Sequence, residues 1–205
     1  MAVWHVEGSC RTIASDDRGA TFREVGRANV PKREDRNCDE PMLVERKDGG
    51  LWLLVRTRYG IGEAASKDGG KTWSEVADTG IPHTDSRFFI RRLASGRLLL
   101  VRHNSPGPKL GRSHLAAFLS EDDGRTWDGG LMLDERAGVS YPDGVQAPDD
   151  SIRVIYDYNR TTEKQIFMAR FTEEDILKRR LVSAAGKLQI QINRATAVNP
   201  TVRIR

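Results

Sequence analysis

Three short acidic runs recur in this 205-residue chain: Ser15-Asp16-Asp17-Arg18-Gly19-Ala20-Thr21-Phe22, Ser66-Lys67-Asp68-Gly69-Gly70-Lys71-Thr72-Trp73 and Ser120-Glu121-Asp122-Asp123-Gly124-Arg125-Thr126-Trp127. Acidic residues at close spacing suggest calcium ligation, but the later acidic ligands that such a loop needs are missing from all three. Metal chemistry fails elsewhere too. Cys10 and Cys38 lack metal-ligand spacing and read as ordinary buried thiols, and His83, His103 and His114 read as structural or rim residues rather than ligands. No cofactor is expected. What remains for chemistry is a large set of glutamates, aspartates and arginines and four tyrosines, and composition and spacing alone single out none of them. Carboxylates move protons, hydroxyls become nucleophiles beside a base, and guanidinium forks grip carboxylates.

The acidic runs share the frame S-x-D-x-G-x-T-[FW] and start at 15, 66 and 120, about 51 and 54 residues apart. A period of that size is what propeller blades show. Within each run the aspartate can bond turn amides, the glycine supplies a positive φ, and the closing aromatic can tuck beneath the loop. Between the runs the chain reads as short strands: 41–45 and 51–56 around Lys47-Asp48-Gly49-Gly50, then 88–93 and 97–101, 114–119, 144–146, 152–156, 165–171 and 186–193. A single helix is predicted from Thr172 to Lys178, with Thr172 as its cap. Pro106-Gly107-Pro108 marks a long loop between two strands.

The runs resemble the Asp-box (BNR repeat) of the sialidase superfamily, in which the motif is a structural turn between the third and fourth strands of a blade. The resemblance covers nearly the whole chain. It implies an all-β fold: a six-bladed β-propeller of sialidase type, present here as an incomplete set of about three to four blades over residues 1–205. The Asp-boxes lie at 15–22, 66–73 and 120–127, and the last blade at 139–205. It also implies roles. Glu40, in Asn37-Cys38-Asp39-Glu40-Pro41, matches the glutamate that serves as base, and Arg56 and Arg112 match two members of an arginine triad that binds a carboxylate. Tyr141, in Val139-Ser140-Tyr141-Pro142-Asp143-Gly144, matches the tyrosine nucleophile. Pro142-Asp143-Gly144 departs from the small hydroxylated residues more usual after that tyrosine. Arg58, Arg92 and Arg102 compete for the arginine positions if the strand register shifts.

No segment matches the family's acid/base aspartate or first arginine, both carried on early blades. The expectation is therefore a C-terminal portion of an exo-sialidase-like retaining glycoside hydrolase, inactive alone, needing further N-terminal blades or a second copy to close its ring. A carbohydrate-binding propeller without hydrolysis and an enzyme for another acidic sugar, such as a uronate, remain as alternatives. The partner expected is a glycan bearing a carboxylated sugar. A formal charge of +4 without a polybasic block argues against nucleic acid, and no apolar run reaches membrane-spanning length. The compartment stays open.

Overall fold

A computed structural model describes residues 2–4, 10–106 and 111–196, with side chains for 10–37, 40–106 and 111–196. Four antiparallel sheets follow one another along the chain. The first has three strands, β1 (Ala2–Trp4), β2 (Cys10–Ala14) and β3 (Arg23–Ala28). The second holds β4 (Arg36–Glu45), β5 (Leu51–Thr57), β6 (Gly60–Ser66) and β7 (Ala77–Asp78). The third holds β8 (Phe89–Arg92), β9 (Leu98–His103), β10 (Leu115–Ser120) and β11 (Asp128–Asp134). The fourth holds β12 (Val139–Gln146), β13 (Ile152–Tyr158), β14 (Gln165–Phe171) and β15 (Lys187–Arg194). Strands in the three complete sheets neighbour one another in chain order, the up-and-down arrangement of a propeller blade. The sheets are successive blades of a β-propeller. Helix α1 (Glu173–Lys178) sits between β14 and β15, with Thr172 and Asp175 forming a reciprocal cap. No described helix is long and apolar enough to cross a membrane.

Sheets packed on both faces explain the unbroken apolar runs. Trp52 and Leu54 of β5 pack toward Leu98 and Leu100 of the third sheet, while Leu53 and Val55 pack toward Cys10 and Ala28 of the first. Leu99 and Val101 of β9 likewise face Val139, Ile152 and Val154 of the fourth. Alternate residues of one strand thus bury against different neighbours. Cys10 is buried, as expected. The side chain of Cys38, residues 107–108 of the Pro-Gly-Pro loop and residues 197–205 of the last blade lie outside the described residues.

The three acidic runs close the hairpins β2–β3, β6–β7 and β10–β11 with the same bonds. In each, the aspartate accepts from the backbone N–H and hydroxyl of the threonine four residues on: Thr21 to Asp17 at 2.9 and 2.6 Å, Thr72 to Asp68 at 2.9 and 2.6 Å, Thr126 to Asp122 at 2.8 and 2.7 Å. These bonds hold all three carboxyls below the usual carboxylate range. The loops also join sheets. Thr12 of the first sheet donates to the Gly70 carbonyl at 3.0 Å, Lys47 N–H of the second donates to Asp123 at 2.9 Å, and Trp73 and Trp127 lie partly buried against the preceding sheet. Phe22 differs, being 56% exposed. Its two counterparts pack on the sheet before their own, and no described sheet precedes the first one.

Gly124 (φ +89°) lies so close to Trp52 that a Cβ there would sit 2.4 Å from Cη2, whereas Gly69 (φ +74°) has open space around it. Gly124→Ala is therefore expected to cost more than Gly69→Ala, by about 1–3 kcal/mol of overpacking. Urea midpoints of the two variants check this, and equal losses would contradict it.

Candidate active site

Antiparallel strand order puts the start of β4, the end of β5, the approach to β10, the start of β12 and the end of β13 at one end of the sheets. The hairpins carrying the acidic runs lie at the other end. Two irregularities in the ladders then aim the side chains. Arg36 pairs with Thr57 and Pro41 with Val55, so residues 37–40 bulge out opposite Arg56 alone. Ser140 pairs with Asp157 and Asp143 with Ile155, so Tyr141 and Pro142 bulge opposite Tyr156. Such bulges redirect side chains at functional ends of sheets. Tyr141 has φ +55°, the left-handed region that ordinary side chains avoid, and a strain of about 1–3 kcal/mol is typical there. Pro142 fits because β12 is an edge strand.

The bulges bring Glu40, Arg56 and Tyr141 together. The Tyr141 hydroxyl donates to Glu40 Oε1 at 3.0 Å. Arg56 Nη1 donates to Glu40 Oε2 at 3.0 Å and to the Tyr141 oxygen at 3.4 Å. Arg112 points Nη2 at the Asp85 carbonyl (3.5 Å), with its guanidinium carbon 5.9 Å from the Tyr141 ring centre. All four sequence-predicted residues therefore meet in one place. The alternatives do not. Arg92 lies at the opposite end on Asp123 and the Glu45 carbonyl, and Arg102 is buried beneath the site, donating to the Pro82 and His103 carbonyls and to Asn104. Arg58 is exposed and makes no described contact with the cluster.

Two residues of this site were not anticipated. Asp85, in the loop between β7 and β8, accepts from Arg56 Nε at 2.8 Å and Nη2 at its carbonyl (3.4 Å), and from the amide of Asn37. Burial alone would lower the Arg56 pKa, but hydrogen bonds and charge from Asp85 and Glu40 raise it further, so the guanidinium is firmly cationic. Arg160 follows β13 and lies 4.4 Å over the Tyr141 ring, a cation–π distance. Nothing in its local sequence sets it apart from the other arginines of the chain. The Gly138 N–H donates to the Arg112 carbonyl (2.8 Å), and the Asn159 N–H to the Gly138 carbonyl (2.9 Å). The segments carrying Arg112, Tyr141 and Arg160 are thus tied by backbone bonds.

Beneath the site, His83 Nε2 donates to the Ser86 carbonyl (2.9 Å) and His103 Nε2 to the Val139 carbonyl (2.8 Å). Their rings are 5.4 Å apart and buried, so both are structural as expected. Burial, with His103, Arg102 and Arg56 nearby, lowers the His83 pKa to about 3; burial and Arg112 lower His103 to about 4.

The geometry on these residues agrees with the sequence relationships. The BNR repeat-like domain profile matches residues 8–154. The chain belongs to that family. Solved structures similar to this BNR repeat-like chain include NanB with optactamide (27% identity, TM-score 0.62, covering 77% of this chain and 25% of that one). The intramolecular trans-sialidase of Ruminococcus gnavus with oseltamivir carboxylate has 22% identity and TM-score 0.64, over 82% and 39% of the two chains. An exo-β-1,3-galactanase of Phanerochaete chrysosporium has 11% identity and TM-score 0.61, over 90% and 44%. No curated protein sequence matches closely enough to count as a relative. The chain spans well under two thirds of these structures' lengths. Its fold is that of a sialidase-type β-propeller, of which it spans a part.

The folded state keeps both imidazoles neutral, while the unfolded chain protonates them near pH ~6.5. Stability from this pair is therefore present above pH ~6.5 and is lost as pH falls toward 4 and 3. Urea midpoints should decline across that window, and a flat profile from pH 7 to 4 would contradict the assignment.

Proposed function

We propose that this chain carries the nucleophile half of an exo-sialidase-like retaining glycoside hydrolase that releases a terminal sialic acid or related acidic sugar. One observation carries the reading: the Tyr141 hydroxyl donates to Glu40 while Arg56 bonds to both groups. A sialic acid bears a carboxylate on its anomeric carbon, which repels an anionic nucleophile. A neutral phenol avoids that repulsion, and sialidases with a tyrosine nucleophile are an exception among two-carboxylate glycosidases. Glu40 takes the hydroxyl proton as the Tyr141 oxygen bonds to the anomeric carbon and the glycosidic bond breaks. The leaving oxygen takes its proton from a general acid outside this set, the position the resemblance gives to an aspartate of an early blade. Water then releases the sugar from Tyr141. Arg56 and Arg112 face the substrate carboxylate.

The exposed apolar residues of the fourth sheet support the same reading. Val145, Ile155, Ile166 and Ile192 leave one face of the fourth sheet exposed, where a neighbouring blade packs in a closed propeller. Further blades of the complete polypeptide are proposed to cover it and to supply the missing acid. A second reading, hydrolysis of another acidic sugar such as a uronate, is favoured by Pro142-Asp143-Gly144 in the bulge, which departs from the family pattern. A panel of sialosides and uronides separates the two.

In the complete polypeptide, Tyr141→Phe is expected to lower kcat on an aryl sialoside beyond detection. Glu40→Gln should lower it by about 10²–10⁴-fold. The melting temperature of Tyr141→Phe should change little. Unaltered turnover in Tyr141→Phe would end the hydrolase reading.

A further inference from the structure

Arg56 and Arg112 are located by opposite means. Arg56 is fixed through its guanidinium, which bonds to Asp85, Glu40 and Tyr141. The Arg112 guanidinium makes one long bond among the described residues, 3.5 Å to the Asp85 carbonyl, so its place rests largely on its backbone. That backbone is held at four successive carbonyls, 111 to 114. Gly111 accepts from the Ser105 hydroxyl (2.8 Å) and the Ser113 N–H (3.0 Å), and Arg112 from the Gly138 N–H (2.8 Å). Ser113 accepts again from the Ser105 hydroxyl (3.2 Å), and His114 from the Asn104 N–H (2.9 Å). One hydroxyl, that of Ser105, therefore bridges the residues on both sides of Arg112. His114 follows at φ +54°, a left-handed conformation that persists where surrounding contacts over-determine it.

The Ser105 hydroxyl is itself held. It lies 2.9 Å from the Ser113 hydroxyl, which in turn lies 2.9 Å from His114 Nδ1. Counting protons fixes the direction of this chain. The carbonyls of Gly111 and Ser113 can only accept, so Ser105 turns its single proton toward them. The Ser105 oxygen then accepts from the Ser113 hydroxyl, and the Ser113 oxygen accepts from His114. His114 must therefore carry a proton on Nδ1. The run passes from His114 to Ser113 to Ser105 to the Gly111 carbonyl, and each member polarises the next. We infer that Ser105 is a positioning residue: oriented by Ser113 and His114, it sets the turn that presents Arg112 to the substrate. This deepens the proposed hydrolase reading and rests on it for what Arg112 meets.

Two measurements on the complete polypeptide test this. In the nitrogen NMR spectrum of histidine-labelled protein, with the signal assigned through His114→Gln, the neutral ring is expected to carry its proton on Nδ1. Ser113→Ala should let that proton move to Nε2. A proton on Nε2 in wild type overturns the inference. On an aryl sialoside, Ser105→Ala is expected to raise KM by ~10-fold with a smaller fall in kcat, the pattern of lost binding rather than lost chemistry. Ser105→Thr, which keeps the hydroxyl, should stay within ~3-fold of wild type. Arg112→Gln should show one KM with and without Ser105→Ala, because residues acting as a unit are not additive. An unchanged KM in Ser105→Ala, or a further rise when it is added to Arg112→Gln, overturns the inference. If wild type turns over neither sialosides nor uronides, the hydrolase reading fails and a crystal structure of Ser105→Ala decides the positioning role. A displaced Arg112 guanidinium upholds it, and one in its wild-type place overturns it.

Discussion

A guanidinium whose side chain is 5% exposed must be neutralised or it destabilises the fold, and the candidate site is arranged around meeting that need for Arg56. Glu40 and Asp85 supply the two carboxylates, from a bulged strand and from the loop linking the second and third sheets. Each brings something along. Glu40 accepts the hydroxyl of Tyr141 with its other oxygen, and Asp85 accepts the amide of Asn37 and offers its carbonyl to Arg112. Removing either carboxylate would leave a buried charge half matched and would free the segment that carries it. The same contacts that satisfy Arg56 therefore fix where the tyrosine oxygen stands.

Stacking of the sheets supplies the rigid frame for this cluster. Each of the two later acidic loops reaches back to the sheet before it, through Thr12 to Gly70 and through Lys47 to Asp123, with a tryptophan seated alongside. The left-handed φ of Tyr141 is tolerated because Val139 and Tyr156, on either side of the bulge, are fully buried against the third sheet. A strained residue persists where its surroundings over-determine it. Packing at the core of the sheets is thus what holds the tyrosine in place at their end.

Much of this was legible in the sequence because repetition and alternation are local signals. The frame S-x-D-x-G-x-T-[FW] repeats intact, and runs such as Leu51-Trp52-Leu53-Leu54-Val55 declare a strand buried on both faces. Helix α1 announces itself through Thr172 and its acidic first turn. Strand β6 was harder to see, since Gly60, Gly62, Ala64 and Ala65 have weak strand preference and pair only because β5 templates them. The start of β12 was hidden by Pro142, which an edge strand accepts. Glu40, Arg56, Arg112 and Tyr141 were found through their resemblance to a family pattern. Asp85 was not, because a loop aspartate carries no periodic signature and its role appears only when the loop folds over Arg56. Arg160 escaped for a different reason: arginines are common in this chain, and only the sheet order places this one over a tyrosine ring.

The hairpins that bind sheet to sheet and the side chains of the candidate site occupy opposite ends of the sheets. Residues around the site can consequently change without touching the hairpin staples at the other end, Thr12 to Gly70 and Lys47 to Asp123. Those staples therefore constrain the far end of the sheets more than they constrain the residues around Tyr141, and one scaffold can carry different sites. Substrate choice in such a molecule is free to diverge faster than its architecture.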